Sequence, residues 1–126
     1  MRTLPIILTI LVLLFGGSLA SYRYIQGTTQ TIGSQLDTLE QSISSQQWDT
    51  AEKELTAAQQ HWDNNKTWWT ILLDHQEIDR IDLSLYRLNK YLVTRNLSLS
   101  LGEISDLELL IQHISDTEKL TIENVL

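Results

Sequence analysis

The most conspicuous pattern in the chain is an uninterrupted apolar run near the amino terminus, from Leu4 to Ser21, with no charged residue. These eighteen residues, at about 1.5 Å each, just cover a hydrocarbon core of about 30 Å if Tyr22 and Ile25 contribute at the boundary. A Tyr-Arg-Tyr triplet follows, which suits the headgroup layer because the rings anchor there and the guanidinium reaches water. The pattern predicts a membrane-spanning helix, with residues 1–25 as the anchor.

The same segment has features of a cleaved signal peptide, with small residues placed before a cut ahead of Ser21. We favour the uncleaved anchor because the apolar run is longer than the usual core of a signal peptide. Arg2 precedes the run and Arg23 follows it, so the positive-inside rule gives only a slight preference for a cytoplasmic amino terminus. Both interpretations export the rest of the chain, which we predict to be an extracytoplasmic domain at 26–126.

Beyond the anchor, apolar residues recur three and four positions apart, the spacing of a helix face that packs against neighbours. They predict helices at about 28–45, 48–63, 75–94 and 97–114. A polar joint at 26–30 precedes the first of them, although nothing there forbids a continuous helix. The stripes of the first three helices are Ile32, Leu36, Leu39, Ile43, then Trp48, Ala51, Leu55, Ala58, Trp62, then Ile78, Ile81, Leu85, Leu88, Leu92.

The joints between these helices predict how they pair. The joint at Gln46-Gln47 is short enough to make the first two helices antiparallel partners. The apolar segment 68–73 either caps this hairpin or forms a short helix of its own. The aromatic, small, aliphatic, small pattern of the second helix is similar to the second helix of a tetratricopeptide unit, although no second copy follows. We therefore predict an all-α fold: a transmembrane helix, then a four-helix antiparallel bundle of two helical hairpins with tetratricopeptide-like packing.

The last predicted helix has apolar residues on more than one face, so it should be the most buried. Gly102 inside it costs about 1 kcal/mol relative to alanine unless another backbone comes close, which we predict. The tail at 120–126 is apolar enough to fold back onto the bundle, with an exposed interaction tail as the alternative.

The most polar cluster of the chain lies at 74–82, directly beside its most apolar helix face. Asp74 and the His-Gln-Glu that follows it have the form of a capping box. In that arrangement the Asp74 carboxylate accepts from the Glu77 backbone N–H, and the Glu77 side chain reaches back. Leu73 and Ile78 stand at the positions of a hydrophobic staple. On this interpretation Asp74 begins a helix and performs no chemistry.

A functional interpretation of the cluster remains open beside the structural one. His75, Asp79 and Asp82 are spaced to line one flank of a helix, as a metal ion or a basic peptide would need. A lone histidine with two aspartates lacks a second ligand cluster of recognisable spacing, so capping and solvated charge are favoured. The other histidines, His61 and His113, fall on different predicted helices. We therefore predict neither a metal site nor a cofactor.

Two adjacent tryptophans, Trp68 and Trp69, precede this cluster. In a helix their side chains point about 100° apart, so both cannot easily fill the same core. We expect one of them to be half exposed near Asp74 and His75, where an aromatic surface beside acidic groups would suit a basic or aromatic peptide. A ring that lies across the hairpin junction is the simpler alternative.

Charge and composition exclude several functions. The net charge is −7, and residues 26–126 contain all sixteen acidic residues but seven of the nine basic ones. Such an acidic body repels nucleic acid and anionic lipid. Cysteine is absent, which removes disulfides and thiolate chemistry. Five glycines and one proline leave little punctuation for a many-stranded fold.

Several short stretches of the chain carry a resemblance to a known family. They are Trp68-Trp69, Asp-His-x-Glu-Ile-Asp at 74–79, Ser84-Leu85-x-Arg87-Leu88-x-x-Tyr91-Leu92, Gln112-His113-Ile114 and Glu118-Lys119-Leu120. Together with the N-terminal anchor, they resemble a family of small membrane-anchored helical proteins of Gram-positive, often endospore-forming bacteria, classed as domain of unknown function 4363. The resemblance implies a cell-envelope setting and supports the anchor, and it supplies no activity.

Two functions are consistent with these features. The first is a non-enzymatic, membrane-tethered protein-interaction module that engages another envelope protein through the stretch 68–82 or through the groove between the hairpins. The alternative is a ligand- or metal-binding sensor, or a hydrolase, that uses Asp74, His75 and Glu77 as acid–base groups. A concave pocket that converges on Asp74, His75 and a second histidine would favour the alternative. Small residues in the anchor permit helix pairing, but nothing else supports a homo-oligomer.

Overall fold

A computed structural model describes the backbone of residues 3–125 and their side chains except those of 21, 22, 25, 72 and 117–125. The predicted contacts of the 120–126 tail and the first tyrosine of the triplet lie outside the described side chains. The described backbone is α-helical apart from short joints, as the sequence predicts. The helices are α1 (Thr3–Ser44), α2 (Trp48–Asn64), α3 (Lys66–Leu72), α4 (His75–Val93) and α5 (Leu97–Val125).

Helix α1 runs without a break through the polar joint at 26–30. The predicted anchor and the first predicted bundle helix therefore form one continuous helix. An 18-residue window in its first half, Thr3–Ala20, has a mean hydropathy of 2.2, and none of it is buried against the rest of the protein. This half is long and apolar enough to span a membrane. The second half carries Ile32, Leu36, Leu39 and Ile43 into the core.

The four long helices pack as a ring in which each of them contacts two of the other three. Helix α1 packs against α2 and α5, and α4 packs against α2 and α5. The short connections 45–47 and 94–96 make α1 with α2, and α4 with α5, antiparallel hairpins, as the sequence predicts. Helix α3 crosses between α2 and α4 at the opposite end from these turns, which is the end nearest the exposed apolar half of α1.

The predicted stripes supply most of the core. Its two largest fully buried side chains are Trp62 and Trp69. Around them lie aliphatic residues from every long helix. They are Ile32, Leu36, Leu39, Ile43, Ala51, Leu55, Ile78, Ile81, Leu85, Leu88, Leu92, Ile104, Leu107, Ile111 and Ile114.

Two polar contacts tie α5 to its neighbours. Buried Glu103 on α5 accepts from Ser84 Oγ at 2.7 Å and from Arg87 Nε at 3.2 Å, both on α4. Near the other end, Ser115 Oγ donates to Gln26 Oε1 at 2.9 Å, and Gln26 Nε2 donates to the Ser115 carbonyl at 3.1 Å. Glu103 and Gln26 therefore fix the register of α5 against α4 and α1.

Both hairpin turns place a non-glycine residue in the left-handed region. Gln46 has φ 57° and Arg95 has φ 54°. Each stands just after a helix end, where the N–H of the next residue bonds back to the carbonyl five positions earlier, at 2.9 Å from Gln47 to Ser42 and at 3.0 Å from Asn96 to Tyr91. These are Schellman turns, in which glycine is the residue that adopts this φ without a steric cost.

Helix α5 differs from its prediction in length and in burial. It continues to Val125, eleven residues beyond the predicted end at 114. Leu99 and Leu109 are exposed, so the apolar residues on the second face of the described part of α5 are not buried as the sequence predicts. Apolar residues on a second face of a helix do not show that another helix covers that face. Among the described residues, α5 packs against α1 and α4, and its outer side is exposed.

The prediction of a close backbone contact at Gly102 was also wrong. A Cβ built there meets nothing within 4 Å, and the φ is not left-handed. We expect Gly102→Ala to raise the free energy of unfolding by about 1 kcal/mol, because alanine lowers the entropy of the unfolded chain. Urea unfolding followed by circular dichroism measures the change. A loss of stability would mean that another part of the protein packs against this position.

Candidate functional site

The stretch from Trp68 to Asp82 forms the end of the bundle nearest the apolar half of α1. Trp69 is fully buried and stacks on Trp62, with ring centroids 5.2 Å apart and an interplanar angle of 24°. Tyr24 of α1 contacts both adjacent tryptophans, at centroid distances of 6.0 Å to Trp68 and 6.2 Å to Trp69. Its hydroxyl donates to Asn65 Oδ1 at 2.5 Å. These contacts join α1, α2 and α3 in one aromatic cluster.

The two adjacent tryptophans have different environments, as their spacing predicts. Trp69 points into the core, whereas 57% of Trp68 is exposed. Ile71 is also exposed, one turn after Trp68 on the same side of α3. Trp69 is therefore a core residue and offers nothing to a partner, while Trp68 does present an aromatic surface.

Asp82 is a structural residue of this cluster. Its Oδ1 accepts from Trp62 Nε1 at 2.8 Å, and its Oδ2 accepts from Lys66 Nζ at 2.7 Å. The hydrogen bond to Asp82 raises the pKa of Lys66, and partial burial opposes that rise. Both carboxylate oxygens are thus engaged by neighbours on α2 and α3. The i, i+4, i+7 spacing predicts that His75, Asp79 and Asp82 line one exposed flank of α4. The Asp82 side chain instead points toward α2 and α3.

Asp74 caps helix α4, but not in the predicted form. Its φ of −66° and ψ of 142° are those of a residue that begins a helix, and its Oδ1 accepts from the Gln76 N–H at 3.5 Å. The Glu77 N–H instead bonds to the Asp74 backbone carbonyl at 3.1 Å. Glu77 lies against α5, with its Oε1 3.9 Å from His113 Nε2. The capping role of Asp74 therefore agrees with the prediction, while the donor to its carboxylate differs.

The remaining candidates, His75 and Asp79, are exposed on the outer side of α4. The structure thus divides the predicted cluster into three groups. Trp69 and Asp82 lie inside the aromatic cluster, Glu77 faces α5, and the side chains of Trp68, Asp74, His75 and Asp79 are exposed to solvent. His61 is half buried on α2, and its Nε2 has no hydrogen-bond partner. Asp74 and His75 are exposed at the start of α4, whereas Glu77 faces α5, so these three described side chains do not converge on one point.

The exposed side of α4 continues beyond His75 and Asp79 as a row of apolar side chains. Leu83, Tyr86 and Val93 are each at least half exposed, and they recur at the spacing of one helix face. Lys90 stands between the last two, with its Nζ 5.4 Å from the Tyr86 ring centroid. We call His75, Asp79, Leu83, Tyr86, Lys90 and Val93 the α4 face.

A separate acidic cluster joins α1 to α5. Carboxylate oxygens of Asp37, Glu40 and Glu108 lie within 4.8 Å of one another. Burial is the largest cause that raises the pKa of Glu108 to about 7, followed by its hydrogen bond to Glu40 and the charges of Glu40 and Asp37. Three carboxylates could coordinate a hard cation, but no other feature of the cluster points to one. The sequence signals only the i, i+3 pair on α1, since Glu108 comes from a distant helix.

This cluster makes the protein less stable as the pH rises. The folded state binds the Glu108 proton more tightly than the unfolded state, whose value is the ordinary 4.5. Stability should therefore fall between about pH 4.5 and 7, with the loss complete above that range. We expect Glu108→Gln to raise the thermal midpoint at pH 8 by up to about 4 °C and to leave it unchanged at pH 4. Thermal unfolding of both proteins across this range measures the effect, and a constant offset at every pH would contradict it.

Comparison with known proteins places the bundle in a family. The sequence model of a family described as a domain of unknown function (DUF4363) matches residues 19–125. No curated protein and no solved structure matches the chain. The matched region begins at the end of the apolar segment and contains α2, α3, α4 and α5 entirely. Because it covers most of the sequence, the chain belongs to this family of domains of unknown function.

Proposed function

We propose that the protein is a non-enzymatic, membrane-tethered module of the bacterial cell envelope. Its helical bundle stands outside the cytoplasmic membrane and engages another envelope protein. The observation that carries this proposal is the unbroken α1, which has an unburied apolar half and a half that forms one side of the core. An apolar helix of this length that nothing else covers is stable in a bilayer and costly in water.

The same feature supports an uncleaved anchor over a removed signal peptide. The backbone is helical through the cleavage position ahead of Ser21, and the helix leads directly into the core at Ile32. A cut ahead of Ser21 would therefore fall within the continuous helix that links the apolar segment to the core. The proposed anchor therefore holds the bundle at a fixed height above the membrane.

The α4 face is the surface that we propose for the partner protein. It combines three apolar side chains with Asp79 at one end and Lys90 near the other. Aromatic and aliphatic side chains supply most of the energy of protein interfaces, and charges at the rim select the partner. The face runs along the bundle axis, so a helix of another membrane protein that projects from the same bilayer could lie beside it.

The alternative, a sensor or hydrolase built on Asp74, His75 and Glu77, receives less support. Glu77 faces α5 and His75 faces solvent, so the three side chains do not converge. General acid–base catalysis requires groups within hydrogen-bond reach of one substrate position.

Site-specific crosslinking in native membranes tests the proposed surface. The variant Leu83→Ser with Tyr86→Ala should keep its helical circular dichroism, because both side chains are exposed, yet lose its crosslinked partner. The matched control is Leu109→Ala, which removes a similarly exposed apolar side chain from α5. We expect the control to keep the crosslink. Equal crosslinking of all three proteins would exclude the α4 face as the contact surface.

Protease protection tests the topology. In intact cells stripped of their wall, an external protease should digest the bundle and spare a fragment that contains the anchor. Protection of the bundle until the membrane is opened would place it in the cytoplasm and overturn the proposal.

A further inference from the structure

We propose that the outer side of α3, formed by Trp68 and Ile71 and called here the α3 face, rests in the headgroup layer of the membrane. This inference depends on the membrane-spanning role proposed for α1. It adds a second contact with the bilayer, made by the bundle itself.

The contacts of Tyr24 determine the height of α3 above the membrane. The apolar window of α1 ends at Ala20, and Tyr24 lies four residues later, which is about 6 Å along a helix. The headgroup region on each side of a bilayer is about 5–8 Å thick. Tyr24 is therefore at the level of the headgroups. Its contacts with Trp68 and with Asn65 hold the start of α3 at that same level.

The side chains of α3 point in two directions, toward the bundle and away from it. Trp69 is fully buried and stacks on Trp62, so this side of α3 faces the bundle. Ile71 follows two residues later, about 200° around the helix, and therefore points away from the bundle. It is 70% exposed, and Trp68 is 57% exposed. The α3 face is thus a pair of large apolar side chains that the described residues of the protein leave uncovered.

The chemistry of the α3 face suits the headgroup layer of a neutral membrane. Tryptophan is enriched where hydrocarbon meets water, because its ring is apolar and its N–H can bond to headgroups or water. Asp63 and Asp79 lie close enough to Lys66 to act on its charge, so the side chains around α3 do not form a basic patch that would require anionic lipid. The contact we propose is apolar and should form on neutral phosphatidylcholine.

Spin labels on single-cysteine variants test this inference, since the chain contains no cysteine of its own. The full chain is reconstituted in phosphatidylcholine vesicles with a label at Ile71→Cys, at Val93→Cys or at Leu11→Cys. Val93 is the matched control: it is an exposed aliphatic residue on a helix, at the end of the bundle far from the membrane. Leu11 lies within the apolar window and reports insertion of the anchor.

Collisions of each label with oxygen, which concentrates in lipid, and with a water-soluble nickel complex give its depth. We expect the oxygen-to-nickel ratio at position 71 to exceed that at 93 by about threefold, and to fall below that at 11. If position 11 is in lipid and 71 matches 93, the α3 face is in water and the inference fails while the anchor stands. If position 11 is also in water, the anchor fails too.

A protein occupant would give a third result. Protection of the label at position 71 from both oxygen and nickel, increasing with the ratio of protein to lipid, would indicate that a second copy covers the α3 face. That result would overturn the lipid contact.

Discussion

Replacement of Trp69 by alanine is expected to lower the free energy of unfolding by about 3–5 kcal/mol. Trp69 is fully buried, stacks on Trp62 and contacts Tyr24, so its removal leaves a cavity where α1, α2 and α3 meet. Its indole N–H has no hydrogen-bond partner, and the loss is therefore one of packing. Since domains of this size are stable by about 5–15 kcal/mol, a loss of this size removes a substantial part of the total stability. Urea unfolding of the full chain in detergent measures the change.

The neighbouring tryptophan provides the control. Trp68→Ala removes the same chemical group one position earlier, from a side chain that is mostly exposed. We expect it to change the free energy of unfolding by less than about 1 kcal/mol. Similar losses in the two variants would contradict the assignment of Trp69 to the core and Trp68 to the surface.

Loss of the Asp82 carboxylate is expected to have the second largest effect. Asp82→Ala leaves the buried Trp62 Nε1 without an acceptor and Lys66 without its ion-pair partner. An unsatisfied buried donor costs about 1–3 kcal/mol, and a partly exposed ion pair adds less than about 1 kcal/mol. We therefore expect a total loss of about 2–3 kcal/mol in the free energy of unfolding. Urea unfolding at pH 7 measures it.

Asparagine at the same position separates the two contributions. Asp82→Asn keeps an oxygen that can accept from Trp62 Nε1 and removes the charge that pairs with Lys66. Its loss should be about 1 kcal/mol or less, because the exposed ion pair contributes little. If asparagine and alanine were equally damaging, the ion pair, and not the indole hydrogen bond, would be the stabilising contact.

The sequence allows the core to be predicted because burial follows helical periodicity. The predicted stripes, such as Ile32, Leu36, Leu39 and Ile43, are buried on the helices that they predict, except for Trp48, which is only partly buried. A stripe specifies which side of a helix is covered and leaves open how far the helix extends. The predicted start of the first bundle helix at about 28 was therefore wrong. The residues of the polar joint at 26–30 are compatible with a helix, and Gly27 has no left-handed φ.

The site could be predicted only in its local parts. Asp74 as a cap and the unequal exposure of the two tryptophans follow from spacing within one turn. The role of Asp82 depends on Lys66 and Trp62, sixteen and twenty residues away, and the Tyr24 hydroxyl meets a residue forty-one positions later. Helical spacing carries no information about such partners, because they are set by how separate helices pack.

If α1 spans the membrane as proposed, its unbroken helix couples the tilt of the apolar half to the position of the far end of the bundle. Ser44 lies 24 residues beyond the apolar window, or about 36 Å along the axis. Transmembrane helices tilt by about 20° on average, and a tilt of that size would carry the distal turn sideways by about 12 Å. In the proposed membrane-spanning arrangement, a sideways force on that turn would change the tilt of α1, and a change in bilayer thickness would displace the turn.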